Sequence, residues 1–199
     1  AGYSFSKDYK QARGHYHSVS DVREILRTGA PVNGAVSPMP NTCWTCKSPD
    51  VPRLMNQVGV ADFYRGTWET KGHEIINPIG CADCHDAETM NLRISRPALI
   101  EAFQRMDKDI EKVSHQEMRS LVCAQCHVEY YFSLTRVEGI QYLTFPWDKG
   151  FSVDEMEVYY DNIDFADWTH ALSRAPMLKA QHPDFEIFQT GTHASRGVS

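Results

Sequence analysis

No run of apolar residues in this 199-residue chain is long enough to cross a bilayer as a helix, and no block of basic residues offers a footing for a nucleic acid. The formal charge of −6 points the same way, and no nucleic-acid partner is expected. Neither a secretory leader nor an initiating methionine stands at Ala1, and Gly197-Val198-Ser199 closes no obvious element. The expectation is an internal piece of a longer chain. Cysteine is scarce in one particular way: all six lie in three C-x-x-C pairs, and partners so close in every pair do not make a disulfide framework. With 42% hydrophobic and 23% charged residues, the remainder has the composition of a globular domain large enough to bury a core.

The pairs are Cys43-Trp44-Thr45-Cys46-Lys47, Cys81-Ala82-Asp83-Cys84-His85 and Cys123-Ala124-Gln125-Cys126-His127. C-x-x-C-H is the attachment signature of a c-type haem, with two thioethers to the porphyrin and an imidazole to the iron. His85 and His127 are therefore axial ligands by motif. The first pair ends in lysine. An amine must lose its proton to bind iron, and a nearby Fe3+ favours the neutral form. With Lys47 on one face, the other face can stay open for a substrate while the His-ligated haems supply electrons. The plainer alternative makes Cys43 and Cys46 a structural zinc or redox pair with Lys47 a solvated neighbour. Beside two C-x-x-C-H motifs, haem is the better reading.

Along the chain the signals are mostly helical. Asp21 with Glu24 suggests a capping box for a helix reaching Arg27, stopped by Gly29 and Pro31. Residues 31–42 read as loop, and a short helix is expected near Val51 to Val58. Pro97 opens a helix with Leu99, Ile100, Phe103 and Met106 on one face, and Ser114 with Glu117 caps another that delivers Cys123. A strand or loop is expected around Tyr142 to Phe145. Further helices are expected over 153–160, 164–173 and 183–190, the last stopped by Gly191. The fold class is mainly α: a multihaem cytochrome c of helices and long loops around covalent haems, with few short strands, in one domain over 1–199.

At this point the residues resemble a known family, the cytochrome c nitrite reductases. The likeness lies in Asp21-Val22-Arg23-Glu24 with Arg27-Thr28-Gly29-Ala30-Pro31, then C-W-T-C-K-S-P-D, then C-A-Q-C-H-V-E-Y-Y-F, then P-M-L-K-A-Q-H-P, in the family's order. Family members carry five haem motifs, whereas this chain has three. The resemblance implies periplasmic six-electron reduction of nitrite to ammonium. It implies Arg27, Tyr130 and His182 on the open face of the Lys47 haem, and His15 as distal ligand of the haem on Cys123 and Cys126. His193 would serve a fifth haem outside this chain. A calcium ion would be held by Glu129 through its carboxylate, Gln181 through its amide oxygen, and Tyr130 and Lys179 through main-chain carbonyls.

Without the resemblance each role has an ordinary competitor. Arg27 can cap a helix C-terminus, Tyr130 can pack, His182 can precede a helix start and Glu129 can be a surface acid. The family also implies a homodimer built largely from C-terminal helices absent here. Its electron donor is a soluble multihaem cytochrome or a membrane-anchored quinol-oxidising cytochrome. The rival function is a multihaem electron carrier with every iron closed by two ligands.

Overall fold

The computed structural model describes residues 14–24 and 39–199. Arg27 and the rest of the segment through Pro31 lie outside the described residues, as does the expected end of the first helix. Helices dominate, and every strand is two or three residues long, so the fold is mainly α as expected. The strands Tyr131–Ser133 (β1) and Tyr142–Thr144 (β2) form one two-stranded sheet, and Trp168–Thr169 (β3) and Pro176–Met177 (β4) form another. The chain divides into two compact units, the first running to Ser95 and including Ser133–Tyr142, the second formed by Arg96–Phe132 and Leu143–Ser199.

The first unit is organised around Trp44, which is wholly buried. Its ring stacks on Trp68 with centroids 3.4 Å apart, and its indole N–H donates to the Trp68 carbonyl at 2.9 Å. Burying an aromatic of this size with its one donor satisfied is among the larger single contributions to a core. Trp44 lies between the cysteines of the first pair, in the 3-10 helix Asn41–Cys46, and so fixes that turn from within. Trp68 opens the short helix Trp68–Gly72, and a Cβ at Gly72 would press on the Trp44 ring at 3.4 Å.

The helix Ser18–Glu24 (α1) starts three residues before the expected cap, so Asp21 sits in its first turn and not at its N-cap. From α1, Arg23 donates to the carbonyls of Gly72 and Ile75, with its guanidinium 5.7 Å from the centre of the Trp44 ring. The helix Asp50–Val58 (α2) follows the first motif, burying Val51, Leu54 and Met55 on one face.

In the second unit the helix Pro97–Arg105 (α3) begins with proline at its first position, where the missing N–H costs nothing, and buries Leu99, Ala102 and Phe103. The helix His115–Ala124 (α4) has the expected capping box: Ser114 accepts the Glu117 N–H, and the Glu117 carboxylate accepts the Ser114 N–H at 2.8 Å. The helix Val153–Asn162 (α5) repeats the device with Ser152 and Glu155. Gly150, at φ 143°, lies so close to the Glu155 carboxylate that a Cβ would collide with it.

A second expectation fails besides the Asp21 cap. Residues 164–173 do not form a helix; the segment enters a hairpin, with Trp168 paired to Met177 and Thr169 to Pro176. Asp164 and Arg174 take left-handed φ values of 50° and 61°, which no α-helix can accommodate, and Asp167 accepts the Lys179 N–H at 2.7 Å across the base of the hairpin. The last helices are Asp184–Gln189 (α6) and Thr192–Ser195 (α7), separated by Gly191.

Candidate functional site

Each C-x-x-C pair is presented on a single helical turn, which puts its two sulfurs on one side of the backbone. Cys81 and Cys84 are the ends of the one-turn helix Cys81–Cys84, where residues three apart are neighbours. Its start is fixed by Asp83, whose carboxylate accepts the Gly80 N–H at 2.8 Å. Cys123 ends in α4, and the turn continues with Cys126 N–H on the Cys123 carbonyl at 3.1 Å. In both motifs the histidine N–H closes back on the first cysteine's carbonyl, at 2.8 Å for His85 and 2.9 Å for His127.

The lysine motif is built differently. Cys43 and Cys46 lie in a 3-10 turn, where residues three apart eclipse, and Lys47 closes on Trp44 at 2.9 Å instead of on Cys43. Ser18 Oγ donates to the Lys47 carbonyl at 2.8 Å and accepts the Ile79 N–H at 3.3 Å, joining the first motif to the approach of the second.

Both motif histidines have their Nδ1 committed. His85 Nδ1 lies 2.8 Å from the Met90 carbonyl, and His127 Nδ1 lies 3.0 Å from the Asp184 carboxylate. Neither acceptor can donate, so Nδ1 carries the proton in each ring and Nε2 is the nitrogen that could take an iron. Two thiols on one side of a turn followed by an oriented imidazole form a donor set that fits a covalently held haem. None of the six cysteines is in a disulfide.

Tyr130 and His182 are brought together, with ring centroids 6.2 Å apart. Beside Tyr130, Glu129 is buried, its carboxylate accepting the Gln181 N–H at 2.7 Å and the Tyr160 hydroxyl at 3.3 Å. Burial, with the added fields of Glu186 and Asp167, pushes the Glu129 carboxyl up to about 7 against those two hydrogen bonds. Burial and then the neighbouring Glu129 push the Tyr160 hydroxyl far above the ordinary tyrosine range. A buried carboxylate in a negative field, bonded to the Gln181 N–H in the segment that also carries Lys179, suits a hard dication. No group of three or more acidic, histidine or cysteine side chains disposed to hold a metal occurs among the described residues, so any ion here would rest on one carboxylate, amide and carbonyl oxygens, and water. His193 is exposed on α7, and His15 is exposed in the 3-10 turn His15–His17 of the first unit.

No sequence motif singles out Glu186. It is buried on α6, and its Oε1 accepts the Glu129 main-chain N–H at 3.0 Å and the Trp147 indole at 2.7 Å. Burial raises its carboxyl above the ordinary range. An acid in the first turn of a short helix ordinarily reads as a partner of the helix dipole.

The model of the cytochrome c552 family matches residues 1–199. The chain belongs to that family. It is 66% identical to cytochrome c-552 of Parabacteroides distasonis and 65% identical to that of Bacteroides fragilis, in each case over the whole of this chain and 40% of the relative. It thus spans about two-fifths of the length of the curated relatives it matches. Among solved structures it is similar to the catalytic subunit of cytochrome c nitrite reductase from Desulfovibrio desulfuricans ATCC 27774, described for the relevance of its two calcium sites. That likeness has a TM-score of 0.84 at 38% identity and covers 95% of this chain and 42% of the other. The kinship expected from the motifs is borne out.

Proposed function

We propose that this cytochrome c552 chain carries the catalytic haem of a periplasmic, ammonia-forming nitrite reductase. The observation that carries the reading is Lys47 in a C-x-x-C-K motif beside two C-x-x-C-H motifs, in a family that includes a nitrite reductase catalytic subunit. The haem supplies the iron that takes the substrate and the electrons that reduce it.

The chain's own residues do the rest. Lys47 would hold the iron of that haem through its amine, and nitrite is the substrate the iron would take. Arg27 is a permanent cation suited to the nitrite oxygens and to negative charge that develops on them. His182 donates protons to the departing oxygens, and Tyr130, its neighbour, donates a hydrogen bond. Cys81, Cys84 and His85, and likewise Cys123, Cys126 and His127, hold the haems that relay electrons, with His15 as distal ligand to the second of these and His193 serving a haem beyond this chain. Glu129, Gln181 and the carbonyls of Tyr130 and Lys179 would hold calcium, whose charge would raise the local potential for an anion beside Tyr130 and His182. A homodimer fed by a multihaem or quinol-oxidising cytochrome completes the reading.

Lys47→His tests it. The expected outcome is full haem content with sharply lower nitrite turnover. Unchanged turnover would show that the lysine is not essential and would favour an electron carrier.

A further inference from the structure

The two motif histidines differ in what their Nδ1 protons face. His85 donates to a neutral main-chain carbonyl, that of Met90, at 2.8 Å. His127 donates to a carboxylate, that of Asp184, at 3.0 Å. The acceptor is placed by its own backbone, because the Phe185 N–H donates to the His127 carbonyl at 3.0 Å and Glu186 accepts the Glu129 N–H at 3.0 Å. Three successive residues at the start of α6 therefore grip the segment from His127 to Glu129, and the first of them meets the imidazole.

The grip at Asp184 is a poor candidate for a stabilising device. The His127 and Asp184 side chains are 51% and 67% exposed, and an ion pair so open to water contributes about 0–1 kcal/mol. Its consequence lies instead at the metal. A charged acceptor on Nδ1–H draws the imidazole towards imidazolate, makes Nε2 a stronger donor and stabilises the oxidised iron over the reduced one. A neutral carbonyl does this much less.

The geometry points to Asp184 as a positioning residue that lowers the reduction potential of the haem on Cys123 and Cys126, a control that the haem on Cys81 and Cys84 lacks. This rests on the reading of His127 as an axial ligand. Asp184 touches neither substrate nor iron and acts only through His127. Its expected effect is to make that haem a more strongly reducing relay.

The test is Asp184→Asn in the holoprotein, followed by potentiometric titration with low-temperature electron paramagnetic resonance. Asparagine keeps the shape and a neutral acceptor, the kind that His85 already has. One low-spin haem component is expected to move to more positive potential with a change in its g-values, while the others stay in place. Asp184→Glu is expected to bring it part of the way back. Full haem content with every midpoint unchanged would overturn the assignment. A general shift of all components would overturn it too, since that would mark α6 as structural only. If the parent protein carries no haem at Cys123 and Cys126, the ligand reading beneath the proposal fails as well.

Discussion

Asp50 carries more hydrogen bonds than its place at the start of α2 suggests. It is 6% exposed, and its carboxylate accepts the main-chain N–H groups of Ile76 and Asn77, each at 2.9 Å, together with the Asn77 side chain and the Ser48 hydroxyl. Burial works to raise its carboxyl, but those donors outweigh it, so Asp50 lies below the ordinary value of 3.8. A carboxylate that binds its proton less tightly when folded stabilises the fold above about pH 3.8 and loses that contribution as the pH falls through its depressed value. Asp50→Ala is expected to cost roughly 2–3 kcal/mol, the range for losing charge-assisted bonds to buried donors. Urea titrations at pH 7 and near pH 3 check both statements: the gap between variant and parent should be narrower at the second than at the first. The motif S-P-D after the lysine was legible as a family signature. Its physical work, tying α2 to the residues before Cys81, was not, because Ile76 and Asn77 lie far along the chain.

At the scale of elements, the sequence was readable wherever a local rule decides the outcome. Ser114 with Glu117 and Pro97 each mark a helix start that the structure keeps, because capping and a missing N–H act within a few residues. Replacing Ser114 by Ala is expected to lower stability by about 1 kcal/mol without loss of haem, read from the denaturation midpoint alongside a haemochrome assay. Gly150→Ala should cost more than an ordinary loop substitution, since it combines an unfavourable φ with a clash on the Glu155 carboxylate. A thermal melt compares it with Gly139→Ala, which shares a positive φ but meets nothing within 4 Å. The misread segment at 164–173 shows the limit. Its apolar spacing suits a helix, yet Asp164 and Arg174 turn left-handed and Asp167 reaches Lys179, choices set by contacts beyond any short window. The helices Val60–Tyr64 and Trp68–Gly72 were missed for a related reason: one turn each, they are held by packing around Trp44 and α2 more than by propensity.

For the whole molecule, the motifs spoke more clearly than the fold. Three C-x-x-C pairs, two histidines and one lysine, with the stretches around them, carry the resemblance to the cytochrome c nitrite reductases. The pairing of Tyr130 with His182, and the burial of Glu129 against Gln181, follow from no local rule because each joins residues about fifty positions apart, and only the resemblance implied them. Calcium removal is the matching prediction: chelation should depress nitrite turnover while leaving haem content intact, and added calcium should restore it. The central claim is most directly tested by supplying the holoprotein anaerobically with nitrite and a reduced viologen and quantifying ammonium. Near-stoichiometric ammonium at about six viologen electrons per nitrite is the predicted result. Full haem content with no turnover would contradict it and leave an electron carrier, with Arg27, Tyr130 and His182 stripped of their assigned roles.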